Sequence, residues 1–199
     1  MGRKKSYNRD TLVAKAMDVF RVHGFAGTST EMLVEHLGVN RYSIYAEFGS
    51  KQALFDTALG RYEQEVIDQS FSPLESPDAG LAEIQRLLEF YAAAAHGSVS
   101  GKGCLLCNTA VEFGANDPSG AGFVQRYFAR LTTAFSAALH TACQDRCLRG
   151  DLKLGEEAHF LTASVLGIFV MLRARAAPEM VESAVKVVNR HLDGLRLDT

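Results

Sequence analysis

Apolar positions recur every three to four residues through most of the chain, the spacing that places them on one side of an α-helix. Over residues 9–23, Leu12, Val13, Ala16, Met17 and Phe20 form such a stripe, and Gly24 supplies a stop. Thr28 followed by Glu31 reads as a capping box that opens a second helix. Its apolar positions are Met32, Leu33 and Leu37, and Gly38 ends it. Asn40 suits the N-cap of a short helix over 41–48, with Ile44 and Phe48 inward and Gly49 as its stop. Ser50 caps a longer helix from Lys51 to about Ser70.

Two prolines and a glycine mark Ser72–Gly80 as a linker. Helical spacing resumes over about 81–96, 104–114, 123–149 and 156–176. A last helix runs from Pro178, well placed in a first turn, to about Leu195. Glycine-bearing breaks at 97–103, 116–122 and 150–155 separate these segments. No β alternation of useful length and no internal repeat is found. The pattern predicts an all-α chain of nine helices.

Composition agrees with a globular helical protein: 47% hydrophobic, 22% charged, and only 4 Pro among 199 residues. The net charge of −2 hides an asymmetry. Residues 1–51 hold 8 Lys/Arg against 5 Asp/Glu, and residues 52–199 hold 13 against 18. Arg3, Lys4, Lys5 and Arg9 crowd the first nine positions without an acid. A basic head on an acidic body suits a polyanion contact confined to the N-terminal part, although a solubilising tail would carry the same charges. No apolar run of the ~18–20 residues of a membrane span is evident, and no secretory signal precedes the first helix. Four cysteines in a chain of this length read as reduced thiols, and a cytoplasmic location is expected.

The two short helices joined through Gly38-Val39-Asn40 fit a helix-turn-helix. Gly38 tolerates the positive φ of the turn, and Val39 plugs the corner between helices. With Ile44 and Phe48 inward, Arg41, Tyr42, Ser43 and Tyr45 remain outward near the helix N-terminus, where a recognition helix meets base edges.

The stretch GFAGTSTEMLVEHLGVNRYSIYAEFGSKQALF, residues 24–55, resembles the signature of the TetR family of transcriptional regulators. The resemblance implies an N-terminal DNA-binding domain, drawn here as 1–50, and a ligand-sensing and dimerising domain, 51–199. It implies phosphate contacts by Thr28, Ser29, Tyr45 and Lys51, with Thr30 and Asn40 at the same helix starts. Arg41, Tyr42 and Ser43 would face the groove, with Arg41 suited to guanine. Tyr42 stands where the family usually has a small residue. A homodimer on a palindromic operator is implied, with repression as the usual mode.

An effector site is also implied. In GKGCLLCNTAVEF, residues 101–113, Cys104 and Cys107 share a helix face near a helix start, where a thiol gains thiolate character. Two readings stay open: reaction with oxidants or electrophiles, or burial as small hydrophobes. Cys104 and Cys107 together with Cys143 and Cys147, with His140 on the face of the second pair, could in principle hold tetrahedral zinc, but one pair lies mid-helix and the stretch between the pairs is long, so neither metal nor cofactor is expected. Tyr91, Asn108, Glu112, Phe113, Tyr127 and Phe128 are candidates to line a ligand cavity. For the dimer, the apolar helix carrying Phe160, Val165, Ile168 and Leu172, and the amphipathic helix carrying Val181, Val188 and Leu192, are expected to form a four-helix interface with their copies.

The rival readings are an enzyme and a helical small-ligand binding protein without operator binding. The chain has no GxGxxG, Walker, HExxH or GxSxG pattern, so an enzyme is not expected.

Overall fold

The computed structural model describes residues 7–97, 100–114 and 122–197. Nine helices are present among them. We label them α1 (Arg9–His23), α2 (Thr30–Leu37), α3 (Arg41–Phe48), α4 (Lys51–Tyr62), α5 (Leu81–Ala93), α6 (Leu105–Phe113), α7 (Phe123–Gln144), α8 (Leu154–Arg173) and α9 (Pro178–Gly194). α4 continues through a π-helical turn, Glu63–Ile67, into a last α turn, Asp68–Phe71. The only extended pairing among the described residues is a single antiparallel bridge between Leu148 and Arg196. Around it the Arg149 N–H donates to the Leu195 carbonyl, and the Leu197 N–H to that of Cys147.

The helix starts follow local chemistry. Asn8, Ser29, Asn40 and Ser50 each have extended backbone and accept a helix N–H with the side chain. The cap of α2 is therefore Ser29, one residue beyond the expected Thr28. α7 stops at Gln144, short of the expected 149, because Arg146 turns left-handed at φ 55° and the Cys147 N–H reaches back to the Ala142 carbonyl. Cys147 thus lies outside the helix, so Cys143 and Cys147 do not share one face of it. No group of three or more possible metal ligands occurs among the described residues.

Packing divides the chain into two compact units. The first comprises residues up to Ile67 together with 104–124. In it α1 lies along α4, and α6 packs on both. Phe20 meets Phe55 edge-on at 4.9 Å between ring centres, and Phe25 and Phe113 extend the aromatic cluster. The division at residue 50 read from the sequence cuts across this unit, because Phe55, Ala58 and Leu59 of α4 belong to the core that α1 builds.

The second unit comprises residues 68–103 and 125 onward. α5 and α8 both pack on α9, and the Thr132 and Thr162 hydroxyls join α7 to α8 at 3.0 Å. Arg130 of α7 grips Glu75 with two guanidinium nitrogens, at 2.5 and 2.7 Å, and Asp68 with a third.

Of the residues expected at the dimer face, Val165, Ile168, Leu172, Val181, Val188 and Leu192 are all buried within the single chain. Of the residues named from sequence only Phe160 is exposed. The apolar residues that remain outside are Val170 on α8 and Met180 and Val187 on α9. α8 is, contrary to the sequence expectation, long and apolar enough to cross a membrane, with a mean hydropathy of 1.3. One row along it, Ala158, Leu161, Val165, Ile168 and Leu172, is buried against protein.

Candidate nucleic-acid interface

α2 closes on Gly38, which adopts φ 72° and ψ 24°, the left-handed conformation that frees the chain to turn. Val39 is half-buried in the corner, and Asn40 caps α3 by accepting from the Ser43 N–H at 2.8 Å. α3 then buries Ile44 and Phe48 and turns Arg41 and Tyr42 to solvent, Tyr42 being 82% exposed. Ser43 and Tyr45 are half-buried on the flanks. An isolated eight-residue helix would not be stable in water. Here the Ile44 and Phe48 side and the Asn40 cap fix it, leaving its N-terminal outer surface free to bind.

Around this helix the polar groups are set in place. The Tyr45 hydroxyl lies 3.1 Å from that of Thr30, linking α3 to α2. The Arg41 guanidinium rests over the Tyr45 ring at 5.4 Å. Ser29 accepts from the Met32 N–H; the backbone N–H of Glu31, and after it the Ser29 hydroxyl, hold the Glu31 carboxyl below the usual carboxylate range. Lys51, in the first turn of α4, places its ammonium 4.3 Å from the centre of the Phe25 ring.

Thr28 does not belong to this surface. It is fully buried, and its hydroxyl donates to the Gly24 carbonyl at 2.6 Å. It braces the turn between α1 and α2 and cannot reach a phosphate. Arg9 is engaged with Glu47 at 3.6 Å and lies over Phe48. Arg3, Lys4 and Lys5 lie outside the described residues.

The residues nominated for effector binding fall into two sets. Cys104, Cys107, Asn108, Glu112 and Phe113 belong to the first unit, and Tyr91, Tyr127 and Phe128 to the second. Cys104 and Cys107 are buried. Cys104 begins α6 and is hydrogen-bonded with the Tyr62 hydroxyl; burial, before that contact, drives the Tyr62 phenol well above its ordinary value. Asn108 donates weakly to the Arg21 carbonyl at 3.4 Å. Glu112 is occupied by the backbone N–H groups of Phe25 and Ala26, and Phe113 packs against Phe25 and Phe55. In the second unit Tyr127 stacks on Phe71, with Phe128 beside it, and Tyr91 packs on Phe169.

The helix-turn-helix and the helices after it match two family descriptions. Residues 12–58 match "Bacterial regulatory proteins, tetR family", and residues 80–188 match "Tetracyclin repressor-like, C-terminal domain". The chain belongs to the TetR family. It is a DNA-binding transcriptional regulator.

Among curated relatives, the uncharacterized HTH-type transcriptional regulator YezE of Bacillus subtilis (strain 168) is 28% identical, over 97% of this chain and 100% of its own length. The HTH-type transcriptional repressor DhaR of Mycobacterium sp. (strain GP1) is 26% identical over 90% of this chain and 89% of its own. Among solved structures, a cysteine mutant of the TetR family regulator CifR, complexed with a 26-bp double-strand operator DNA, superposes with a TM-score of 0.83. It is 26% identical, and the match covers 95% of this chain and 98% of that one. All three bear the names of regulators of transcription.

Sequence reasoning found the TetR-like turn and outer face of α3 because local residue types encode both. It missed the internal role of Thr28 and the pairing of Glu112 with the α1–α2 turn. Gly24 does more than stop α1: it carries positive φ ahead of that turn.

Proposed function

We propose that this regulator is a repressor that binds a palindromic operator as a homodimer in the cytoplasm. The observation that carries the reading is the division of α3: Ile44 and Phe48 face the core while Arg41 and Tyr42 stand free at the N-terminal end of the helix. Arg41 reads a base edge, and Tyr42 contacts a thymine methyl or a phosphate. Ser29, Thr30, Tyr45 and Lys51 contact phosphate, assisted by the N-termini of α2 and α4. Residues 1–50 supply these contacts apart from Lys51, and the later helices supply sensing and dimerisation.

The dimer face uses the outer side of α8 and α9, where Phe160, Val170, Met180 and Val187 are exposed. A two-fold pair of chains then presents two copies of α3 to successive major grooves, about 34 Å apart. Release from DNA follows binding of a small molecule, or modification of Cys104 or Cys107, that favours the incompetent state. The Tyr62–Cys104 contact supports a role for that thiol, since altering it disturbs the α4–α6 packing on which α1 also rests.

Selection of bound duplexes from a random pool tests the reading. The expected product is a palindromic consensus, bound with an affinity that falls steeply as salt rises. Weak, salt-insensitive association with every duplex would overturn it in favour of a ligand-binding protein without operator binding.

A further inference from the structure

Glu112 stands near the C-terminal end of α6, yet its carboxylate serves the turn between α1 and α2. Oε2 accepts from the Phe25 N–H at 2.9 Å and Oε1 from the Ala26 N–H at 2.5 Å. Two successive amides just past a helix end have no helical acceptor, and a carboxylate facing both is a charge-assisted pair of hydrogen bonds. The approach depends on Gly24. A Cβ there would lie 2.7 Å from Oε2, and φ 72° with ψ −179° is a conformation essentially reserved for glycine.

The turn so held leads to two parts of the DNA surface. Ser29, which caps α2, follows Ala26 by three residues. The Phe25 ring lies beneath the Lys51 ammonium at 4.3 Å. The next residue of α6 grips the same turn from another side, Phe113 packing on Phe25 at 5.6 Å between ring centres. The carboxylate thus fixes the backbone of the turn while Phe113 fixes its ring.

We propose that Glu112 is a positioning residue for DNA binding: its carboxylate holds the 24–28 turn so that the start of α2 and the Lys51 ammonium are set for phosphate. This inference rests on the reading of those two groups as phosphate contacts. Glu112 is then a link in the protein and not a wall of an effector cavity.

Glu112→Gln keeps the size and removes the charge, placing an amide N–H group against one of the two donors. In the full-length protein, its affinity for the selected duplex is expected to fall about fivefold, the scale of an exposed charge-assisted pair. Hydrogen exchange at the Phe25 and Ala26 amides is expected to quicken by about the same factor. Val111→Ala, on an exposed neighbour, is expected to change neither. Unchanged affinity in Glu112→Gln, or unchanged exchange at both amides, would overturn the proposal, as would a loss of affinity only in step with a lowered Tm. A wild type that binds no duplex would overturn the proposed function instead, and amide exchange would still decide whether the clamp exists.

Discussion

The hydroxyls of Thr30 and Tyr45 lie 3.1 Å apart, one in the first turn of α2 and the other midway along α3. The contact sets the angle between the two helices at the surface offered to DNA. Tyr45→Phe should cost about 0.5–1.5 kcal/mol of stability, the worth of one hydrogen bond. It should also lower affinity for the selected duplex by about tenfold, since the same hydroxyl is proposed to meet phosphate. Thr30→Val should show the same stability loss, and the double variant should lose less than the sum. Denaturant unfolding and duplex titration of the three variants check this, with strict additivity as the contrary result.

Arg41 and Lys51 should separate reading from gripping. Arg41→Ala is expected to cost about 1–3 kcal/mol in operator binding and to relax preference at one base position. Lys51→Ala should weaken binding to all duplexes alike and reduce the salt slope by about 1. Neither should alter stability by more than about 0.5 kcal/mol. Competition between matched and mismatched duplexes at two salt concentrations distinguishes them.

The outer and inner sides of α8 and α9 make opposite predictions. Ile168→Ala removes a buried side chain and should cost about 2–5 kcal/mol of unfolding free energy. Val187→Glu, on the exposed side of α9, should leave the protomer folded and shift the dimer toward monomer. Sedimentation with parallel thermal unfolding reads both. Dissociation caused by Ile168→Ala with Val187→Glu silent would return the interface to the side named from sequence.

Tyr62 predicts an alkaline limit. Burial, with Cys104 adding to it, raises the folded-state phenol well above its ordinary value near 10.0. Below that value both states keep the proton and stability does not respond. Above it the unfolded chain ionises while the folded chain resists, so stability falls as pH rises toward the folded-state value. Tyr62→Phe should flatten the decline above about pH 10. Denaturant midpoints between pH 8 and 11 would refute the assignment if wild type and variant declined together.

The four thiols should react in order of exposure. Cys147 is exposed, Cys143 half-buried, and Cys104 and Cys107 buried. Native-state labelling should modify Cys147 first and leave the α6 pair protected until that helix opens. Cys104→Ser should then abolish release of DNA by electrophiles while operator affinity stays intact. Rapid labelling of Cys104 in the unperturbed protein would contradict the order of exposure, and unchanged release from the Cys104→Ser variant would contradict the thiol mechanism.

Much of this was legible in the chain because helix starts and stops are local. Gly38, Asn40, Ser50 and Pro178 each encode a boundary through their own backbone or side-chain preference, and the elements appear where they stand. Thr28 and Ser29 are chemically interchangeable as caps, so only packing decides that one is buried and the other exposed. Arg146 ends α7 in a left-handed conformation without the glycine that would have announced it. α9 carries Val181 and Val188 on one side and Met180 and Val187 on another, and hydrophobicity alone cannot say which is covered within the chain. Glu112 lies 86 and 87 positions from its amide partners, a separation that no local pattern spans.

The short bridge of Leu148 with Arg196 has a practical corollary. Leu148 and Leu195 are buried where the α7–α8 loop meets the chain beyond α9, and backbone bonds on either side stitch the two segments together. A reporter or affinity handle spliced in at Gly194 would tear out that seam and leave Leu148 open to solvent. One appended after Leu197 would keep the seam whole, so it is the safer attachment point for every assay that needs an immobilised or fluorescent form of this regulator.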